Sequence, residues 1–191
     1  LIFNYERHDN FKLNTNIIQP AFNSSPSINE HRFKGVDNLN KLVSFVDDNK
    51  LSVLPHTPKD YKYFNNYMID YNQLMEMLRF DYTGELVKIY LNFDSVIALR
   101  GHGQLISIGL NIPGIYLSTQ DKLRDFSLLN GFKDYNVDVE DDDWFLSLKE
   151  CHHKLLNDTD YLVNWYKIRN KNILNWHNNL TVFVKECTSC L

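Results

Sequence analysis

The chain has 191 residues, the size of one α/β domain or of one half of a two-lobed enzyme, and a hydrophobic content of 43% supplies enough apolar residues for a core. Its formal charge of −4 argues against a general nucleic-acid binder, which carries a basic face. No apolar run reaches bilayer length, no signal-peptide pattern opens the chain, and Cys151, Cys187 and Cys190 are too few for a disulfide scaffold, so a reducing, cytoplasmic setting is expected.

In chain order, residues 1–5 read as a first strand that runs into Glu6, Arg7, His8 and Asp9. Residues 11–34 hold Asn23-Ser24-Ser25-Pro26-Ser27 and no sustained period, which predicts a long loop. Val36, Leu39, Leu42, Val43 and Val46 then recur at helical spacing, predicting a helix over 36–48. Leu51-Ser52-Val53-Leu54 reads as a buried strand ended by Pro55, with His56 and Asp60 just beyond it. Helices follow over 61–78 and 83–91. Ser95-Val96-Ile97-Ala98-Leu99 is a further strand, leading to a helix over 102–110 and another strand over 113–117. The helix predicted over 122–129 stops at Asn130-Gly131, where glycine suits a left-handed C-cap. Residues 135–139 alternate like a strand. The acids from Glu140 to Asp143 open a helix near Trp144, where negative charge opposes the helix dipole. A long final helix runs from about residue 159, carrying Leu162, Trp165, Ile168, Ile173, Trp176 and Val182.

Strands alternating with helices predict an α/β fold, a Rossmann-like parallel sheet flanked by helices. In such sheets ligands bind beyond the carboxyl ends of the strands. One strand end carries Arg100-Gly101-His102-Gly103-Gln104 and the next Ser118-Thr119-Gln120-Asp121-Lys122. The guanidinium of Arg100 suits phosphate or carboxylate, and amides at a helix start favour anions. The imidazole of His102 exchanges protons near neutrality, Gly101 and Gly103 permit close backbone approach or a sharp bend, and Lys122 adds a positive group. Together these suit a small, doubly anionic molecule whose chemistry needs a proton transfer. The bland alternatives are a solvated Arg100–His102 pair at a helix start, a surface Lys122, a capping His56 and surface charges at Arg7 and His8.

The run from Asp94 to Ile115 resembles the C-terminal signature of the polysaccharide pyruvyltransferase family: an apolar strand, an Arg-x-His element at Arg100-Gly101-His102, a small-residue helix, a Gly-x-Pro step, a strand and then a lysine. Gly109, Pro113 and Lys122 fall in the expected order, and Leu129-Asn130-Gly131-Phe132-Lys133-Asp134-Tyr135 is similar to the family's loop into its last strand. Gly101 stands where the family usually has an apolar residue. The resemblance covers about residues 94–139. It implies a two-lobed GT-B type enzyme of which residues 1–191 form one α/β lobe, the C-terminal half of a longer chain, an expectation to which the absence of Met at the first position adds. It implies phosphoenolpyruvate as donor, with no other cofactor, and as acceptor a sugar or lipid-linked glycan destined for a cell-surface or exported polysaccharide, handled in a bacterial cytoplasm or at the inner membrane face. Arg100, Gly101, Gly103, Ser118 and Lys122 would bind the donor, His102 would act as general acid, and His56, Asp60 and Arg7 would line the cleft.

Two other functions share these features, a nucleotide-sugar glycosyltransferase lobe and a non-catalytic interaction module. Neither a GxGxxG fingerprint, a Walker loop nor a nucleophile elbow is present. Cys187-Thr188-Ser189-Cys190 has metal-ligand spacing, with Cys151-His152-His153 as further ligands, but a single such pair is poor evidence and no metal site is expected.

Overall fold

A computed structural model of the chain describes residues 16–19, 26–54 and 89–189. Five parallel strands form one sheet in the order β2-β1-β3-β4-β5. They are β1 (Asn16–Gln19), β2 (Ser52–Val53), β3 (Ser95–Ala98), β4 (Gly114–Ser118) and β5 (Asn136–Asp138). Ile18 lies opposite Val53 on one side and Ile97 on the other, Ile97 opposite Ile115, and Leu117 opposite Val137.

Every residue of β3 and β4 is buried, which explains why both read as unbroken apolar runs rather than as alternating ones. Their side chains leave on alternate faces. Ile97, Leu99, Ile115 and Leu117 enter one core, with Leu39, Leu42, Phe45 and Val46 of α2 (Val36–Asp48) and Trp144, Leu148 and Leu155 of α5 (Trp144–Asn157). Val96, Ala98 and Tyr116 enter the other, with Ile108 of α3 (Gly101–Gly109) and Trp165 of α6 (Thr159–Ser189). There Phe132 stands edge-on to Tyr116, centroids 5.4 Å apart, and 5.7 Å from Trp165.

The stretch predicted as a long loop contains two elements, β1 and the short helix α1 (Pro26–Arg32). β1 offers only Ile17 and Ile18 between two amides, and seven residues of helix give too few turns to display an apolar stripe. Pro26 at the first helical position was the available signal. The strand expected over 1–5 and the helix over 61–78 lie outside the described residues, as does the helix over 83–91 except for its last residues. Within the described sheet it is β1 that sits between β2 and β3.

Elsewhere the expected elements are present. α4 (Asp121–Leu129) ends at Asn130, and Gly131 follows at φ 76°, with the Phe132 N–H donating to the Ser127 carbonyl at 2.8 Å. The acids of 140–143 precede α5 rather than occupying its first turn. No helix among the described residues is long and apolar enough to cross a membrane.

Candidate functional site at the rim of the sheet

The chain passes from β1 through α1 and α2 to β2 on one side, while β3 pairs on the other side of β1. Such a reversal of strand order leaves a crevice at the carboxyl ends of the two strands. A cavity of about 270 Å³ lies on this rim, where the segments after β3 and β4 meet the end of α1. Leu99 and Leu123, both nearly inaccessible, supply its apolar lining. Arg32, Arg100, His102, Thr119, Gln120 and Lys122 supply its polar lining.

Two helices begin here. Arg100 and Gln120, the residues before α3 and α4, are both extended, and neither side chain caps its helix. The first bond within α3 runs from the Gln104 N–H to the Arg100 carbonyl at 3.1 Å, so the amides of Gly101, His102 and Gly103 precede the intrahelical ladder. The opposite end of α3 is held by a buried cation. Arg169 of α6, only 4% exposed, donates through Nε to the Ile108 carbonyl at 2.9 Å and through Nη2 to the Gly109 carbonyl at 3.4 Å. Burial pulls its guanidinium below the usual arginine range.

Arg32, Arg100 and Lys122 bring three cationic side chains to one small cavity, and no carboxylate is found among its described lining residues. The nearest acid in sequence, Asp121, is ion-paired with Arg124, which also donates through Nη1 to Asp138 of β5 at 2.6 Å. Those contacts raise the Arg124 guanidinium, Asp138 contributing most. Three formally positive side chains thus line one cavity in a chain of net charge −4.

Of the residues expected to bind a donor, Arg100, Gly101 and Lys122 share this cavity, together with His102, expected as general acid. Gly103 is buried in the first turn of α3 and does not line it. Ser118 does not line it either: its hydroxyl, 1% exposed with its residue, donates to Asn136 Oδ1 at 2.6 Å and ties β4 to β5. A side chain at the end of a buried strand has a neighbouring strand as its nearest polar partner, and here that partner wins. His56, Asp60 and Arg7 lie outside the described residues. Neither Gly101 nor Gly103 takes positive φ, so no sharp bend depends on them. A Cβ at Gly101 would meet Leu123 Cδ2 at 3.6 Å, an ordinary contact.

Arg32 went unrecognised in the sequence because it sits in the stretch read as a loop and belongs to no motif. Away from the rim, His152 is buried edge-on against Phe45, 5.2 Å between centroids, and no cluster of three or more metal-ligating side chains occurs among the described residues.

No family model, curated protein or solved structure matches the chain. What the fold and the cavity define is an α/β protein with a parallel sheet, helices on both faces, and a cationic pocket at the strand ends.

Proposed function

We propose that this chain is the donor-binding lobe of a pyruvyltransferase, which moves a pyruvyl group from phosphoenolpyruvate to a sugar hydroxyl of a cell-surface or exported polysaccharide. One observation carries the proposal: Arg100, His102 and Lys122 line one cavity where two helices begin. The amides that open α3, together with Arg100 and Lys122, hold the donor's phosphate. His102 protonates the methylene carbon of the enol, which leaves C2 open to attack by the sugar hydroxyl. Phosphate then departs with the C2–O bond's electron pair while Lys122 balances the developing charge, and a second hydroxyl of the same sugar closes on C2 to complete the ketal, one hydroxyl proton returning to His102 and the other leaving with phosphate. The acceptor, a sugar or lipid-linked glycan, sits in a cleft that a second lobe of GT-B type completes, in the cytoplasm or at the inner membrane face.

A nucleotide-sugar donor would call for a carboxylate to take the ribose hydroxyls, and the described lining of the cavity offers none. Thermal unfolding with added ligand separates the two donors. A ligand at 100 times its Kd stabilises the folded state by about 2.7 kcal/mol, so phosphoenolpyruvate raises the melting temperature and nucleotide sugars leave it unchanged. The opposite ranking assigns the lobe to a glycosyltransferase. A null result with both ligands favours the interaction module.

A further inference from the structure

We propose that Thr119 is a specificity-determining residue of the rim pocket: its hydroxyl, with the amides that open α4, binds the carboxylate of a ligand whose phosphate is held at the start of α3. The inference rests on reading the pocket as a site for a phosphorylated acid and goes beyond it by assigning the second anionic group.

Thr119 directly follows β4 and lines the cavity with Leu99 and Gln120. It is only 8% exposed, and its hydroxyl makes no hydrogen bond among the described residues. Nor is that hydroxyl sealed off, as both polar atoms of the Gln104 side chain are. A buried hydroxyl without a partner is costly, and a ligand in the cavity supplies the missing acceptor. Ser118, one residue earlier, shows the alternative. Its hydroxyl donates to Asn136 Oδ1 at 2.6 Å, and its carbonyl accepts from the Val139 N–H at 3.0 Å. Those two bonds fix the end of β4, so Thr119 enters the cavity from a rigid base.

The next residues open α4. Its first bonds run from the N–H groups of Leu123 and Arg124 to the Gln120 carbonyl, at 3.0 and 3.3 Å, so the amides of Asp121 and Lys122 precede the intrahelical ladder. The Gln120 side chain does not cap them. The Asp121 carboxylate is paired with Arg124, and Asp121 does not line the cavity. A hydroxyl and two amides are donors without acceptors, and an ionised carboxylate is an acceptor only, with lone pairs for all of them. The start of α3 is a separate set of donors, the amides of Gly101, His102 and Gly103. A cavity of about 270 Å³ bordered by two such helix starts fits a small acid with its two negative groups on a short frame.

The test compares the wild-type protein with Thr119→Val, Thr119→Ala and Thr119→Ser by isothermal titration calorimetry. Valine keeps the volume without the hydroxyl, alanine removes the hydroxyl without crowding the pocket, and serine keeps the hydroxyl. Phosphoenolpyruvate serves as the two-anion probe and methyl phosphate as the one-anion probe. The expected result is that Thr119→Val and Thr119→Ala weaken phosphoenolpyruvate binding about 10- to 100-fold and change methyl phosphate binding by less than about twofold, while Thr119→Ser stays within about threefold of wild type for both. Retained methyl phosphate binding also shows that the variants are folded. Unchanged phosphoenolpyruvate affinity in Thr119→Ala, or an equal loss there for both probes, overturns the role of Thr119 while leaving the phosphate site standing. So does a wild-type protein that binds both probes equally well. If the wild-type protein binds neither probe, the phosphorylated-acid reading itself falls, and the inference falls with it.

Discussion

Arg100 occupies the N-cap position of α3 and His102 lies in its first turn, so two residues of one short segment face the same cavity with different chemistry. A guanidinium contributes charge and hydrogen bonds to the bound ground state as much as to the transition state, whereas a proton donor acts only as bonds change. Arg100→Ala is therefore expected to weaken phosphoenolpyruvate binding about 10- to 100-fold. His102→Ala should reduce turnover about 100- to 10,000-fold with donor affinity nearly intact. Calorimetry paired with single-turnover kinetics reads both, and undiminished turnover in His102→Ala removes the general acid from the scheme.

His152 makes a prediction at the same scale about stability. Burial, with a smaller contribution from neighbouring His153, pushes its imidazole down to about 4 from the ordinary 6.5. Its Nε2 has no hydrogen-bond partner. The folded state thus favours the neutral ring, and the unfolded chain binds the extra proton between these two values. The stability is fully present above pH 6.5 and is lost as pH falls towards 4, by about 3 kcal/mol in all. Denaturant titrations across that window should show this slope in the wild-type protein and a shallower one in His152→Phe. Equal slopes contradict the assignment.

At the scale of the element, α3 is set from both ends. Its start opens on the pocket, and its last carbonyls accept from the buried Arg169. Arg169→Met keeps much of the side-chain volume but leaves those carbonyls short of donors, at a cost of about 2–4 kcal/mol by chemical denaturation. A loss below about 0.5 kcal/mol would show that the cation does not anchor the helix. Gly131 at φ 76° is a second point of control, and Gly131→Ala is expected to cost about 1 kcal/mol through backbone strain alone, since the added Cβ meets Ile168 at an ordinary 3.6 Å. The legible elements were those with a strong local signal: the apolar runs of β3 and β4, the helical spacing of three and four residues in α2, and the Asn130-Gly131 stop. β1 was illegible because pairing with a strand on each side, rather than local pattern, makes Asn16–Gln19 a strand, and α1 because seven residues show no apolar stripe. For Ser118, position in the sequence suggested the rim, but the Asn136 amide on the next strand decided its partner.

At the scale of the whole molecule, the strand order explains the rest of what the sequence could not disclose. Alternating elements predict a parallel sheet, but no local pattern tells that β1 lies between β2 and β3. That order places the crevice beside β3 and brings α1 to it, so Arg32 joins residues about 70 to 90 positions away in the chain. Arg100, His102 and Lys122 could be proposed from sequence because each follows or flanks a strand end with a strong signature. Arg32 could not, because its place depends on the path of the chain around β1.

The most direct test of the central claim is a solution NMR titration of the protein with phosphoenolpyruvate, followed through its backbone amides. The account predicts saturable shifts concentrated at Gly101, His102, Gly103 and Lys122. Shifts centred instead on the pocket around Phe45 and His152, or no shifts with phosphoenolpyruvate where a nucleotide sugar does produce them, would contradict it.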